Sequence, residues 1–400
     1  MKDTIKILFV GTPNAYPMGY ALELKDMGYN VTYLVDVPKD DTLSRPEHQY
    51  SEISYPYPKW IIEKLIPKPH WKSFYPKVLH GDLIRLCNEY DVVLLSGHYV
   101  SIAPYIKVNM VFGLYAGADL YFQSNPDRAS DWVNQGMKLP LLNSLKLIFA
   151  RRCMQNNKFG ILSLNSIVYF PVGLVRESKA MINYAISNGV NYIKRYDVNP
   201  RILHCERAKV ERDSKFVINS PVRFCFGNAP GGDVTLNKGN DVIIRGIALF
   251  KKHFEDFEVH FYNKGPDLEL AKSLCRELDI EENVIWHNTM PLPDLLSIYD
   301  ISDVCFDQVG SHWVSAVGCY SLFLGVPLIA NARPEIMGDF WEGESPICQA
   351  TTDEEICSWL IKLLDEKNRK EIGRRSKIFA NKKLSMRKVA LEIDEMIGVK

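Results

Sequence analysis

Between Asp307 and Arg333 the chain carries no Lys, Arg, Asp or Glu, although charged residues make up 24% of its 400 positions. An apolar run of this length first suggests a membrane span. Gly310, Gly318, Gly325 and Pro327 interrupt it, however, and divide it into three short elements. Asp303 to Phe306 reads as a buried strand. Trp313, Ala316, Val317, Tyr320, Phe323 and Leu324 recur at helical spacing, and Gly325 stands where a helix C-cap favours positive φ. Val326 to Ala330 reads as a second buried strand. Strand, loop, helix and strand make a βαβ crossover covered on both faces. The loop Gln308 to His312 opens onto the helix N-terminus, whose free N–H groups and dipole suit an anion such as a diphosphate.

The same alternation runs through the rest of the chain, which is long enough for two domains of ordinary size. Ile5 to Val10 is a strand, followed by the loop GTPNAYPMG, a helix ending near Gly28, and a strand from Val31 to Val35. Gly11 falls at the carboxyl end of the first strand, where open α/β sheets bind ligands, although an ordinary turn explains it as well. The loop is not G-x-G-x-x-G, so no nicotinamide site is read. Asp91–Leu95, Met110–Leu114 and Phe159–Leu164 read as further strands, and Glu177–Asn188 as a helix. The polar stretch Glu206 to Ser220 reads as a linker, with Val222 to Gly227 opening the second series. The domains are then 1–210, joined by a returning C-terminal helix in 383–400, and 216–382. In the second series Asp267 is the expected N-cap of a helix to Leu278.

Composition excludes several classes. Lys plus Arg equals Asp plus Glu at 48 each, so bulk electrostatics give no reason to expect a nucleic-acid partner. Nine cysteines, none in a C-x-x-C pair, argue against a disulfide framework or zinc site and for a reducing cytoplasm. MKDTIKILFVG runs straight into a strand and lacks the pattern of a signal peptide. No metal-ligand spacing and no dedicated cofactor motif are present. Two segments stand apart. Lys59 to Lys77 carries five lysines against one glutamate among Ile61, Ile62, Leu65 and Ile66, and Lys138 to Arg152 reads KLPLLNSLKLIFARR. Either they form an interfacial face against a membrane, or they are core helices with snorkelling lysines.

The helix ending in small-x-Gly-x-Pro before a hydrophobic strand resembles the nucleotide-sugar half of a GT-B glycosyltransferase, close to the large retaining family 4. Asp307, Gln308 and Trp313 match a subgroup of that family at the same spacing from Gly325. The resemblance implies two Rossmann-like domains with a deep interdomain cleft and a C-terminal helix crossing back to the first domain. It implies a hexosyltransferase-like, metal-independent, retaining transfer of sugar from a nucleoside-diphosphate sugar to an acceptor hydroxyl. No separate cofactor is needed, and the acceptor is a glycan or lipid-linked molecule of cell-surface polysaccharide or glycolipid synthesis, met in the cytoplasm or at the inner membrane face. Lys238-Gly239 matches the pair that contacts the donor diphosphate, with Asn228 where the family has Arg. Gly11, Asn288, His312, Ser315 and Tyr320 complete the donor-binding set, His312 and Tyr320 standing where the family carries glutamates. Gly117, Ala118 and Asp119 match the end of a His-Gly-(Ser/Thr)-Asp-like turn in which Ala116 replaces the histidine. Asp119 either orients an acceptor hydroxyl or caps the next helix, and His98 on the adjacent strand end is a catalytic candidate for the same crevice. Four usual polar positions are changed, at Ala116, Asn228, His312 and Tyr320. These changes keep open a second reading, a catalytically impaired nucleotide-sugar-binding scaffold for another transferase. A GT-B epimerase would want a carboxylate set that the sequence does not offer.

Overall fold

The central strands of both sheets are short runs of Val, Ile, Leu, Phe and Tyr buried at nearly every residue, not at alternate ones, as expected for parallel strands covered on two faces. The computed structural model describes residues 2–134, 142–171, 176–196, 198–199, 201, 203, 207, 209, 214–227, 236–311, 314–333 and 345–398. The chain divides into two units, Met1–Ile202 with Ser385–Lys400, and Leu203–Leu384.

The first unit contains β1 (Lys6–Val10), β2 (Asn30–Val35), β3 (Ile61–Glu63), β4 (Val92–Ser96), β5 (Met110–Leu114), β6 (Ser166–Tyr169) and β7 (Asn191–Lys194). Their order in the sheet is β3-β2-β1-β4-β5-β6-β7, and every pairing is parallel. Leu8, Val10, Leu34, Val93, Leu95, Val111 and Ile167 meet in one core beneath these strands. The C-terminal helix Met386–Gly398 returns to this unit. Arg387 reaches Glu23 at 3.3 Å, and Asp394 accepts from Lys2 and from the Tyr29 hydroxyl, each at 2.5 Å.

The second unit contains β8 (Phe216–Ser220), β9 (Phe257–Tyr262), β10 (Val284–His287), β11 (Val304–Phe306), β12 (Leu328–Ala330) and β13 (Cys348–Gln349). Their order is β10-β9-β8-β11-β12-β13, again all parallel. The charge-free stretch is the β11–β12 crossover: its helix spans Ala316–Leu324 and ends at Gly325 with φ +77°.

Two expectations need correcting and a third needs refining. Phe159–Leu164 is not a strand, because the helix Asn143–Ile161 runs into it. Its buried residues Ala150, Cys153, Met154, Asn157, Gly160 and Ile161 keep helical spacing, and a Cβ at Gly160 would lie 2.1 Å from the Val100 carbonyl oxygen. The stretch read as a linker contains β8, a central strand of the second sheet, while Val222–Gly227 has no regular structure. Asn219 and Ser220 in that strand are polar but buried, which hid it from a hydrophobicity reading. Asp267 does stand at the N-cap of its helix, but its side chain makes no capping bond; its Oδ2 accepts instead from Phe226 and Gly227 N–H, at 2.6 and 2.9 Å.

Among the described residues no helix is long and apolar enough to cross a membrane, and no group of three or more His, Cys, Asp or Glu could hold a metal. The eight described cysteines are all free and buried.

Candidate functional site

In the second unit, two loops at the carboxyl ends of β8 and β11 are fastened to each other, the end of an open α/β sheet where ligands are bound. Gly239 opens the helix Asn240–Lys251 with φ +72°, and Asn237 Oδ1 accepts its N–H at 2.7 Å. The Lys238 carbonyl accepts from Val309 and Gly310 N–H at 3.1 and 3.3 Å, and Asn237 O accepts from Ser311 N–H at 3.2 Å. Contact this close needs glycine on both sides. A Cβ on Gly239 would stand 2.8 Å from Gly310 N, and one on Gly310 only 2.3 Å from Asn237 O. Asn331 braces the second loop by donating to Gly310 O at 2.6 Å, and buried Asn240 braces the first by accepting Cys225 N–H at 3.0 Å.

Lys238, half-buried, donates from Nζ to Gln308 Oε1 at 2.5 Å. Burial lowers its pKa, and the neighbouring Asp307 pulls it back up. Asp307 is buried, which raises its pKa, and hydrogen bonds to its carboxylate oppose that shift. Those bonds correct the expectation of a wholly free helix N-terminus. Asp307 Oδ2 accepts Ser315 N–H at 2.5 Å and Gly318 N–H at 3.1 Å, and the Ser315 hydroxyl also donates to Asp307. Ser315 is therefore engaged inside the protein. The Ala316 and Val317 N–H groups are the first-turn donors left for an anion among the described residues.

Tyr320 is half-buried on that helix, burial raising its hydroxyl pKa, and Asn288 is exposed beyond β10, where it accepts from Asn263 at 3.1 Å. Asn228, His312 and Trp313 lie outside the described residues.

The first unit holds a cavity of about 430 Å³ at the carboxyl ends of its central strands. Gly11, Asp36, His98, Tyr99, Gly117 and Asp119 are among its lining residues, so three sequence candidates meet there. Gly11 has φ +90°, and a Cβ on it would sit 2.9 Å from the Tyr99 ring. Asp119 accepts Ala116 and Gly117 N–H, the latter at 2.7 Å; it fixes the turn before its helix and also lines the cavity. Burial raises its pKa, while those N–H groups and Arg195 oppose the rise.

His98 stacks on Trp132 and lies beside His70, and burial pushes its pKa down to about 3, so it is neutral. Asn157 Nδ2 faces His98 Nδ1 at 3.5 Å and donates to Gln123 O at 3.2 Å. That carbonyl fixes the amide orientation, so Nδ1 is the acceptor and the proton belongs on Nε2. His98 is thus built to donate a hydrogen bond.

Asp36 was not singled out from sequence. It ends β2, is buried, and accepts from Thr12 Oγ1 at 2.8 Å and from the Tyr99 hydroxyl at 2.5 Å. Burial raises its pKa against those two donors. The run VTYLVD, a hydrophobic strand closed by an acid, was the available signal. The cavity lining contains two carboxylates and neither Lys nor Arg, which suits hydroxyl groups better than phosphate.

Two parallel-sheet Rossmann-like domains with a returning C-terminal helix define the GT-B class of fold, and the comparisons with solved structures agree. The chain is similar to sucrose-phosphate synthase from Thermosynechococcus elongatus, with TM-score 0.61 and 11% identity over 98% of each chain. It is similar to a glycosyltransferase from Rickettsia africae, with TM-score 0.62 and 13% identity over 98% of this chain and 97% of that one. It is also similar to the lipopolysaccharide outer core galactosyltransferase WaaB, with TM-score 0.54 and 12% identity over 99% of each chain. No protein-family model matches the sequence. No curated protein matches it either. At these identities the likeness establishes the fold.

Proposed function

We propose that the protein is a glycosyltransferase that moves a sugar from a nucleoside-diphosphate sugar to an acceptor hydroxyl. The observation that carries this reading is Lys238, held beside Gln308 and Asp307 in a doubly braced loop at the carboxyl end of the second sheet. A positive charge so placed can exchange its amide partner for a departing diphosphate, and preorganised charge of this kind acts where charge develops in the transition state. The Ala316 and Val317 N–H groups add the helix dipole. Tyr320 would line the donor pocket by packing or by contact with the ribose, and Asn228, Asn288 and His312 are assigned to the donor by resemblance alone. On the acceptor side, Asp36 and Asp119 would accept from sugar hydroxyls while neutral His98 donates to one.

Leaving-group stabilisation by Lys238 and a helix dipole needs no dedicated metal, and we extend the reading to a retaining, metal-independent transfer. One transferase that shares the fold, the lipopolysaccharide outer core galactosyltransferase, supports an acceptor in cell-surface glycan or glycolipid synthesis. Release of nucleoside diphosphate from a panel of nucleotide-sugars tests the reading. Release that depends on Lys238 supports it. Tight donor binding without release or transfer would replace it with a nucleotide-sugar-binding scaffold.

A further inference from the structure

We propose that residues 64–81 and 142–161, which overlap the two basic-apolar segments, build one docking surface on the first unit, and that its occupant is a bilayer rich in anionic lipid. The inference rests on the transfer reading only for its purpose, bringing the enzyme to a lipid-held acceptor. The helix Asn143–Ile161 has an unusual outer face. Its inward side is Ala150, Cys153, Met154, Asn157, Gly160 and Ile161. The opposite pole, at steps of three and four residues, is Leu145, Ile148, Arg152, Gln155 and Phe159. Leu145, Ile148 and Phe159 are 47%, 63% and 56% exposed, where a solvated helix normally carries charge.

The second segment is fastened to this helix. The Phe74 ring stacks on Phe149 with centroids 4.8 Å apart, and Asn156 Nδ2 donates to Ser73 O and Phe74 O at 2.7 and 3.0 Å. That contact brings the exposed Tyr75, Val78 and Leu79 alongside. These two short stretches hold Phe74, Tyr75, Val78, Leu79, Leu142, Leu145, Ile148 and Phe159, eight of the seventeen large apolar side chains exposed among the described residues. Single exposed apolar residues are ordinary, but a concentration of them is not.

Charge names the occupant. Residues 64–81 contain four lysines and residues 142–161 contain Lys146, Arg151, Arg152 and Lys158, with no Asp or Glu in either stretch. The apolar side chains project from the outer pole of a helix and from a neighbouring turn. Such a surface enters the headgroup layer of a membrane, with its cations against anionic lipid.

Co-sedimentation with phosphatidylcholine vesicles, with and without phosphatidylglycerol, tests this at low and high salt. The protein should bind the anionic vesicles at low salt and leave them as salt rises. A cation near such a surface is worth about fivefold in partition, so Arg151→Glu with Arg152→Glu should weaken binding at least ~25-fold. Ile148→Ser with Phe159→Ser should weaken it at both salt levels. All four positions are exposed, and unchanged thermal melting will show that the variants fold. Absence of vesicle binding at low salt, equal binding to neutral vesicles, or variants that bind like the parent would overturn the proposal. So would self-association through this face without lipid binding, which would make a second copy the occupant. Nucleoside-diphosphate binding measured on the same samples separates the two claims: its loss removes the transfer reading, and loss of vesicle binding alone removes only the surface.

Discussion

Lys238 Nζ stands 2.5 Å from Gln308 Oε1, although the two residues are 70 positions apart in the chain. The bond joins the loop after β8 to the loop after β11 and fixes the Lys238 ammonium between them. Lys238→Ala should cost ~2–4 kcal/mol in the transition state of transfer, the usual scale for losing a preorganised donor to developing charge. Stability should also drop, by about 1–3 kcal/mol, because buried Asp307 and Gln308 lose their half-buried cationic neighbour. Turnover and chemical denaturation check the two parts separately. Parental turnover in the folded variant would remove Lys238 from the reaction.

Gly310→Ala should disrupt the site through the backbone. The added Cβ would meet Asn237 O at 2.3 Å, so the two loops must part and carry Lys238 away from Gln308. The expected outcome is a lower melting temperature together with weakened nucleotide binding. Full nucleotide affinity in this variant would mean that the braced loop geometry is irrelevant to the ligand.

Asp119→Asn separates a cap from a catalytic group. One amide oxygen replaces a carboxylate that takes Ala116 and Gly117 N–H, so stability should fall by about 1 kcal/mol, the scale of a lost cap. If Asp119 also contacts the acceptor, KM for the acceptor rises while donor binding stays unchanged. A stability loss with no change in acceptor KM would leave it as a cap alone.

The histidines around the first-unit cavity predict a pH dependence. Burial pushes His80 to about 4 and His98 to about 3, against an ordinary value of 6.5 in the unfolded chain. As pH falls below about 6.5 the unfolded chain takes up protons that the folded chain refuses, so stability decreases. Asp36 and Asp119, raised by burial, act in the opposite sense as pH falls through their raised folded values toward the ordinary carboxylate range. Melting temperature should therefore be level above about pH 7 and fall from about pH 6.5 downward, with a shallower fall for His98→Asn. A flat profile to about pH 5 would contradict the burial of these rings.

Most strands were legible because parallel strands buried on both faces read as continuous apolar runs, as Ile7–Val10 and Val92–Leu95 do. Phe159–Leu164 misled for the same reason: a helix end packed on the Val100–Ser101 backbone is as apolar as a strand. The Lys238-Gly239 pair was read only through its resemblance to a family motif; the structure gives the glycine a physical cause, since a Cβ there would stand 2.8 Å from Gly310 N. Asp36 and the capping of Ser315 by Asp307 were not legible, since both depend on tertiary partners that no local pattern encodes.

The central claim is that Lys238 and the braced loops hold a nucleoside diphosphate. Thermal melting in the presence of UDP, GDP, ADP, CDP and TDP, each without metal, measures this most directly. A ligand at about 100 times its dissociation constant adds ~2.7 kcal/mol of stability. At least one of these nucleotides should raise the melting temperature of the parent, and Lys238→Ala should abolish the rise. No shift with any of the five, or an equal shift in the folded Lys238→Ala variant, would contradict it.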